Sequence, residues 1–141
     1  MPKDTSSRPI FICGASRTPL GAFQGAFTGL TATDLGATAI AAALVQAGLS
    51  PDRIDEALMG NVLPAGLGQA PARQAALGAG LPTSVPCTTV SKVCGSGMKA
   101  VIQAHDAIRA GAIATAVAGG MESMTNAPYL LPDHRGGARI G

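Results

Sequence analysis

The chain has 141 residues, 47% hydrophobic and 13% charged, with a mean hydropathy of +0.31. That balance excludes a disordered chain and supports one core without staples or metals, since folding at this length removes about 65–70% of the unfolded surface. The formal net charge is only +2 and the basic residues are scattered from Lys3 to Arg139, while three Phe and one Tyr are too few for base stacking. A nucleic-acid-binding or anionic-membrane surface is therefore not expected.

Small side chains dominate: 27 Ala and 19 Gly make up about a third of the chain. Elements can approach closely, which suits helices lying flat on a parallel sheet. Cys13, Cys87 and Cys94 are an odd set with neither C-x-x-C spacing nor a companion histidine pair, so neither a disulfide framework nor a zinc site is expected. The first eight residues lack the apolar core of a signal peptide, and the Ala-rich stretch from Ala37 to Leu49 is too short to span a bilayer. The expected compartment is the cytoplasm.

Ile10-Phe11-Ile12-Cys13, between Pro9 and Gly14, reads as a first buried strand. After a loop with Arg17-Thr18-Pro19, Thr31-Ala32-Thr33-Asp34 matches a capping box and opens a helix that should run to Ala47, with Gly48 in the left-handed position that ends it. Ser50-Pro51-Asp52 opens a further helical turn. A second strand is predicted over Ala57 to Val62, a second helix from Pro71 through Ala79 to a stop at Gly80, and a third strand over Val85 to Val90. Pro86, Thr88 and Thr89 in that strand point to a sheet edge or an interface. The third helix runs from about Gly95 to Ala110, and the fourth strand from Ile113 to Ala118, ended by Gly119-Gly120. The order β-α-β-α-β-α-β selects an α/β fold, a layered parallel sheet with helices on its faces. The third helix should be buried, because the face of Met98, Val101, Ile102, Ala104 and Ile108, flanked by Ala100 and Ala107, makes it apolar on almost every side except at Gln103, Asp106 and Arg109.

Chemistry concentrates in Ser91-Lys92-Val93-Cys94-Gly95-Ser96-Gly97-Met98-Lys99-Ala100. A cysteine between a strand and the first turn of a helix meets unpaired amides and the positive end of the helix dipole, which favour negative charge on sulfur. Gly95 and Gly97 leave room for a carbonyl to approach, as at a nucleophile elbow. Two other readings stay open at this point. Cys94 can be an ordinary buried small hydrophobe, and Gly95-Ser96-Gly97-Met98-Lys99-Ala100 fits the dinucleotide fingerprint G-x-G-x-x-A, with Glu122 as ribose acceptor. Against the latter, the motif occupies the third crossover, and Glu122 lies further on than the usual ~20 residues. His105 sits eleven residues past Cys94 on the same helix, roughly 16 Å along its axis, and cannot reach the sulfur. His134 lies in the Pro/Gly-rich tail, so no base is paired with Cys94.

The Cys94 segment resembles the acyl-accepting cysteine motif of the thiolases, the acetyl-CoA acetyltransferase and 3-ketoacyl-CoA thiolase family. Three further blocks agree in order: Ser16 to Phe23, Gly60-Asn61-Val62 running into Gly68 to Arg73, and Gly119-Gly120-Met121-Glu122-Ser123-Met124. The resemblance implies a cysteine thioester at Cys94, with the Cys94 amide contributing to an oxyanion hole. It implies condensation of two acetyl-CoA to acetoacetyl-CoA, or the reverse thiolysis, with acetyl- or acyl-CoA as substrate, no cofactor, and a homo-oligomer whose subunits meet near the nucleophile strand. Family members carry a Gly-His-Pro motif, an Asn-Glu-Ala-Phe motif and a second cysteine in a later half, and this sequence contains none of them. The expectation is an incomplete chain, with residues 1–120 an N-terminal thiolase-like half-domain and 121–141 the start of a loop domain, inactive alone. A non-catalytic thiolase-like interaction module is the alternative. Tyr129-Leu130-Leu131 would either border an acyl channel or cover the sheet.

Overall fold

The computed structural model describes residues 9–137. The first helix, α1 (Ala32–Ala47), starts at the expected capping box: the Thr31 hydroxyl accepts from the Asp34 amide, and the Asp34 carboxylate accepts from the Thr31 amide at 2.9 Å. It stops at Gly48, whose φ of +64° closes the last turn. A 3-10 turn (Pro51–Arg53) leads into β1 (Glu56–Gly60), and then follow α2 (Pro71–Gly78), β2 (Cys87–Val90), α3 (Ser96–Arg109) and β3 (Ala116–Gly120), before a last 3-10 turn (Pro132–Gly136).

Among the described residues the sheet has three parallel strands in the order β2-β1-β3. Register runs Ala57↔Cys87 and Ala57↔Val117, with Gly60 opposite both Val90 and Gly120. Side chains on β1 alternate between faces, as strand geometry requires. Ala57 and Met59 join α1 and α2 in one core with Ala32, Ile40, Leu44, Ala72 and Ala75, whereas Leu58 packs with Val90, Ala100 and Ala104 under α3. The architecture is thus α/β with helices on both faces of a parallel sheet. None of the described helices is long and apolar enough to cross a membrane.

Three expectations are corrected. Residues 10–13 form no strand: Phe11 and Ile12 are exposed, because a strand is completed by a neighbour's hydrogen bonds and none runs beside this segment among the described residues. The pattern is therefore α-β-α-β-α-β. The third helix is not buried all round, for Ser96, Ala100 and Ala104 face the sheet while Met98 is 72% exposed and Val101 and Ile102 are each 45% exposed. The sheet selects the narrow stripe of small residues, which lets the backbones approach, and leaves the larger apolar side chains outward. The last strand lies later than predicted and includes both glycines, since Gly119 and Gly120 pair with Met59 and Gly60. Tyr129, Leu130 and Leu131 are exposed and do not cover the sheet.

Among the described residues β2 lies at an edge of the sheet, one of the two positions expected for the strand before Cys94. β2 begins one residue after Pro86, whose carbonyl accepts from the Ala57 amide at 3.0 Å.

Candidate active site

All three strands are parallel, so their C-terminal ends lie together, the end at which α/β sheets place their chemistry. Cys94 follows β2 at this end and is exposed. The preceding residue, Val93, has a φ of +48°, a conformation that costs an L-residue roughly 1–3 kcal/mol and a β-branched one most. Such strain persists only where the surroundings hold it. Here Ser96 holds it: its hydroxyl accepts from the Lys92 amide at 2.7 Å and donates to the Val93 carbonyl at 2.6 Å. The Gly95 amide donates to Lys92 O and the Ser96 amide to Val93 O, at 3.0 and 3.1 Å. Cys94 is therefore carried at the crest of a tight, hydrogen-bonded turn that opens α3.

The first turn of α3 rests on bare backbone. A Cβ on Gly60 would lie 2.5 Å from the Gly97 nitrogen and 2.5 Å from the Ser96 carbonyl carbon, and one on Gly120 would lie 3.1 Å from the Gly97 Cα. Glycine at 60, 97 and 120 is what allows the Cys94 helix to seat on the exits of β1 and β3. The same contact counts against the dinucleotide reading, because Gly97 faces the sheet instead of a phosphate. Glu122 is also committed: its carboxylate accepts from Asn61 Nδ2 at 2.7 Å and from the Val62 and Leu63 amides at 2.9 and 3.0 Å.

Asn61 is buried, 1% exposed. Its Nδ2 also donates to the Met121 carbonyl at 3.2 Å, so two acceptors fix the amide's orientation, and Oδ1 has no partner among the described residues. Sequence reasoning missed Ser96, Asn61 and Glu122 as a supporting set. The available signal was a polar residue directly after an apolar strand.

The other sequence candidates lie apart from this set. His105 is on the exposed side of α3, its Nδ1 3.1 Å from Asp106 Oδ1, and His134 is in the last 3-10 turn. Burial pushes the Cys87 thiol above its ordinary pKa, with the Arg73 guanidinium opposing it. Cys13 is exposed, contrary to its expected place in a buried strand. Among the described residues no group of three His, Cys, Asp or Glu could hold a metal ion.

The second and fourth motif blocks are stitched into the fold. Ala70 takes a left-handed conformation ahead of α2, and Gln74 Nε2 donates to the Leu67 and Gln69 carbonyls at 2.6 and 2.7 Å. Asn126 Nδ2 donates to the Leu30 carbonyl at 2.7 Å, tying the segment after β3 to the loop before α1.

This fold, with a cysteine on a helix-opening turn at the C-terminal end of a parallel sheet, is that of the N-terminal region of a thiolase. The family model described as the thiolase N-terminal domain matches residues 10–141, and the chain belongs to the thiolase family. It is 55% identical over 140 residues to acetyl-CoA acetyltransferase 1 of Arabidopsis thaliana, which covers 98% of this chain and 34% of that protein. It is 51% identical over 134 residues to the mitochondrial acetyl-CoA acetyltransferase of Homo sapiens, covering 95% and 31%. A crystal structure of the Acat5 thiolase from Ascaris suum in complex with coenzyme A superposes with a TM-score of 0.86 at 43% identity, over 87% of this chain and 32% of that one. The chain thus spans about a third of the length of the curated relatives it matches.

Proposed function

We propose that this chain carries the acyl-accepting part of a thiolase, with Cys94 as the nucleophile and acetyl-CoA as the acyl donor. The observation that carries the reading is the placement of Cys94, exposed on a strained turn stapled by Ser96. The names of its relatives and the coenzyme A held by the Ascaris suum protein support the choice of donor. In this reading the Cys94 sulfur attacks the thioester carbonyl carbon and forms a new C–S bond. The carbonyl electrons move to oxygen, where backbone amides, that of Cys94 included, receive the charge. Collapse then breaks the bond to coenzyme A, which leaves as its thiolate and takes up from water a proton equivalent to the one the Cys94 thiol gave up on attack.

Condensation needs a second acetyl-CoA to lose a methyl proton and attack the Cys94 thioester, with release of acetoacetyl-CoA and regeneration of the thiol. Among the described residues no acid or base is paired with Cys94, and such help is typically worth ~10²–10⁴ in rate. The proposal is therefore half a reaction: acylation of Cys94 without turnover, the whole enzyme being a homo-oligomer that also brings the later half of the family's machinery. The place of β2 at the sheet edge among the described residues, next to the nucleophile turn, supports subunit pairing on that side.

The test is to incubate the folded chain with acetyl-CoA, map the adduct by peptide mass, and assay acetoacetyl-CoA separately. An acetyl group on Cys94, lost in Cys94→Ser, is expected without product formation. Acetylation confined to Cys13, or none at all, overturns the nucleophile assignment, and steady acetoacetyl-CoA formation overturns the half-reaction.

A further inference from the structure

We infer that Glu122 and Asn61 are positioning residues for Cys94, holding together the two strand exits on which the nucleophile's turn rests. The inference rests on the reading of Cys94 as acyl acceptor and adds two residues to it. The link is continuous in space. Glu122 gathers Asn61 Nδ2 and the amides of Val62 and Leu63 onto one carboxylate. Asn61 directly follows Gly60, and Glu122 comes two residues after Gly120. Between them, the Met121 amide donates to the Gly60 carbonyl at 2.9 Å, and Asn61 Nδ2 returns a bond to the Met121 carbonyl. Gly60 and Gly120 are the residues against which Ser96 and Gly97 pack without room for a Cβ. Ser96 in turn reaches back across the Cys94 turn to the backbone of Lys92 and Val93. A shift of either strand exit is therefore delivered to Cys94 with nothing compressible between, since backbone packed on backbone cannot absorb it as side chains do.

A second observation sets this end of the strand pair apart. At the other end Asp55 makes a similar tie, its Oδ2 accepting from the Ala114 and Thr115 amides at 2.8 and 2.9 Å. That tie uses an exposed carboxylate and no buried amide. Only the Cys94 end adds a buried asparagine, whose Nδ2 bridges the Met121 carbonyl and the Glu122 carboxylate. Asp55 therefore serves as the control for a role that is only structural.

The experiment measures acetylation of Cys94 on the full chain over a range of acetyl-CoA concentrations, beside unfolding in urea. The proteins are the wild type, Glu122→Gln, Asn61→Ala and Asp55→Asn. Glutamine at 122 turns an NH2 towards N–H donors. The expected result is a maximal acetylation rate roughly 10–100-fold lower, with the half-saturating concentration within about twofold of wild type, because misplacing a reacting group by ~1 Å costs up to ~10²-fold. Asp55→Asn should lower stability and leave the acetylation rate unchanged. A folded Glu122→Gln protein that acetylates at the wild-type rate overturns the inference. So does an equal loss of rate in Asp55→Asn. If Glu122→Gln does not fold, Asn61→Ala decides in the same two directions, since Glu122 keeps its bonds to Val62 and Leu63. If wild-type Cys94 takes no acetyl group, the acyl-acceptor reading fails by itself, and rates of Cys94 alkylation by iodoacetamide across the same variants then uphold or overturn the positioning role.

Discussion

The strand pair β1 and β3 is tied at both ends by a carboxylate. At the N-terminal end Asp55, just ahead of β1, accepts from two consecutive amides ahead of β3; at the C-terminal end Glu122, just after β3, accepts from two consecutive amides after β1. The two ties cross in opposite senses and do the same work for the backbone, since each satisfies amides that the ladder leaves unpaired. What differs is the neighbourhood. The Asp55 end opens to solvent, whereas the Glu122 end adds a buried Asn61, the seat of α3 and the strained turn of Cys94. One device thus serves as a plain fastener at one end and as a frame for chemistry at the other.

The largest effect should come from the seat itself. In Gly60→Ala the new methyl group meets the Gly97 nitrogen and Ser96 carbonyl carbon at 2.5 Å, both backbone, so α3 must lift from the sheet. A loss of about 3 kcal/mol is expected, at the upper end of overpacking penalties, read as a lower urea midpoint, and Cys94 acetylation should fall with it. Gly36→Ala is the counterpart in the other layer, where the methyl meets the Met121 sulfur at 2.5 Å. The sulfur can turn aside there, leaving the Ala75 and Met121 Cβ atoms at 3.2 Å to give slightly, so the loss should be smaller and Cys94 acetylation less affected. Equal losses at the two sites would remove the distinction between a backbone seat and a side-chain contact.

Next comes the C-terminal tie. Glu122→Ala leaves Asn61 Nδ2 one acceptor short and the Val62 and Leu63 amides unpaired. For a partly buried charged acceptor that is worth about 2 kcal/mol. Asp55→Ala removes bonds at the exposed end and should shift the thermal midpoint less. If Asp55→Ala shifts it more, the two ends are not ranked by burial as argued.

Val93→Gly should act in the opposite direction on stability. Relief of the φ of +48° is worth about 1–3 kcal/mol, and the extra freedom of glycine in the unfolded chain takes back about 0.5–1. A net gain of about 1 kcal/mol is expected by urea unfolding, together with slower acetylation of Cys94, because the loosened turn holds the sulfur less firmly. A variant that is both more stable and equally fast would show that the strain has no part in presenting Cys94.

How much of this could be read from the sequence depended on distance along the chain. The capping box of Thr31 and Asp34, the stop at Gly48 and the turn at Cys94 are local, each settled within a few residues, and they stand in the structure where they were expected. The strand at residues 10–13 was not local. An apolar run shows that a segment can pair, but pairing needs a neighbour. Met98, Val101 and Ile102 failed for a related reason: an apolar helix surface does not say which stripe a sheet will take, and a crowded sheet took Ser96, Ala100 and Ala104. The Asn61–Glu122 pair spans 61 positions, beyond any periodicity. The motif blocks located its members without giving their purpose.

The smallest effect isolates the charge at the N-terminal end. Bonds from the Ala114 and Thr115 amides hold the Asp55 carboxyl below its ordinary value of 3.8. A carboxyl whose folded pKa is depressed adds stability that is fully present above the unfolded value and is lost as pH falls through the folded one. Wild type should therefore exceed Asp55→Asn in thermal midpoint at pH 7, and the gap should close as pH falls below 3.8, because the protonated acid then accepts no better than the amide. Asp34, likewise lowered by its bonds to Thr31, is common to both proteins and cancels in the difference. The measurement is a pair of melting curves at steps from pH 7 to pH 2. Closure of the gap on acidification, with Cys94 alkylation equal in the two proteins at pH 7, would mark the Asp55 tie as electrostatic and separate from the chemistry. A gap that stays constant to low pH would mean that the side chain holds Ala114 and Thr115 by shape alone, and the likeness between the two ends would then be one of geometry without charge.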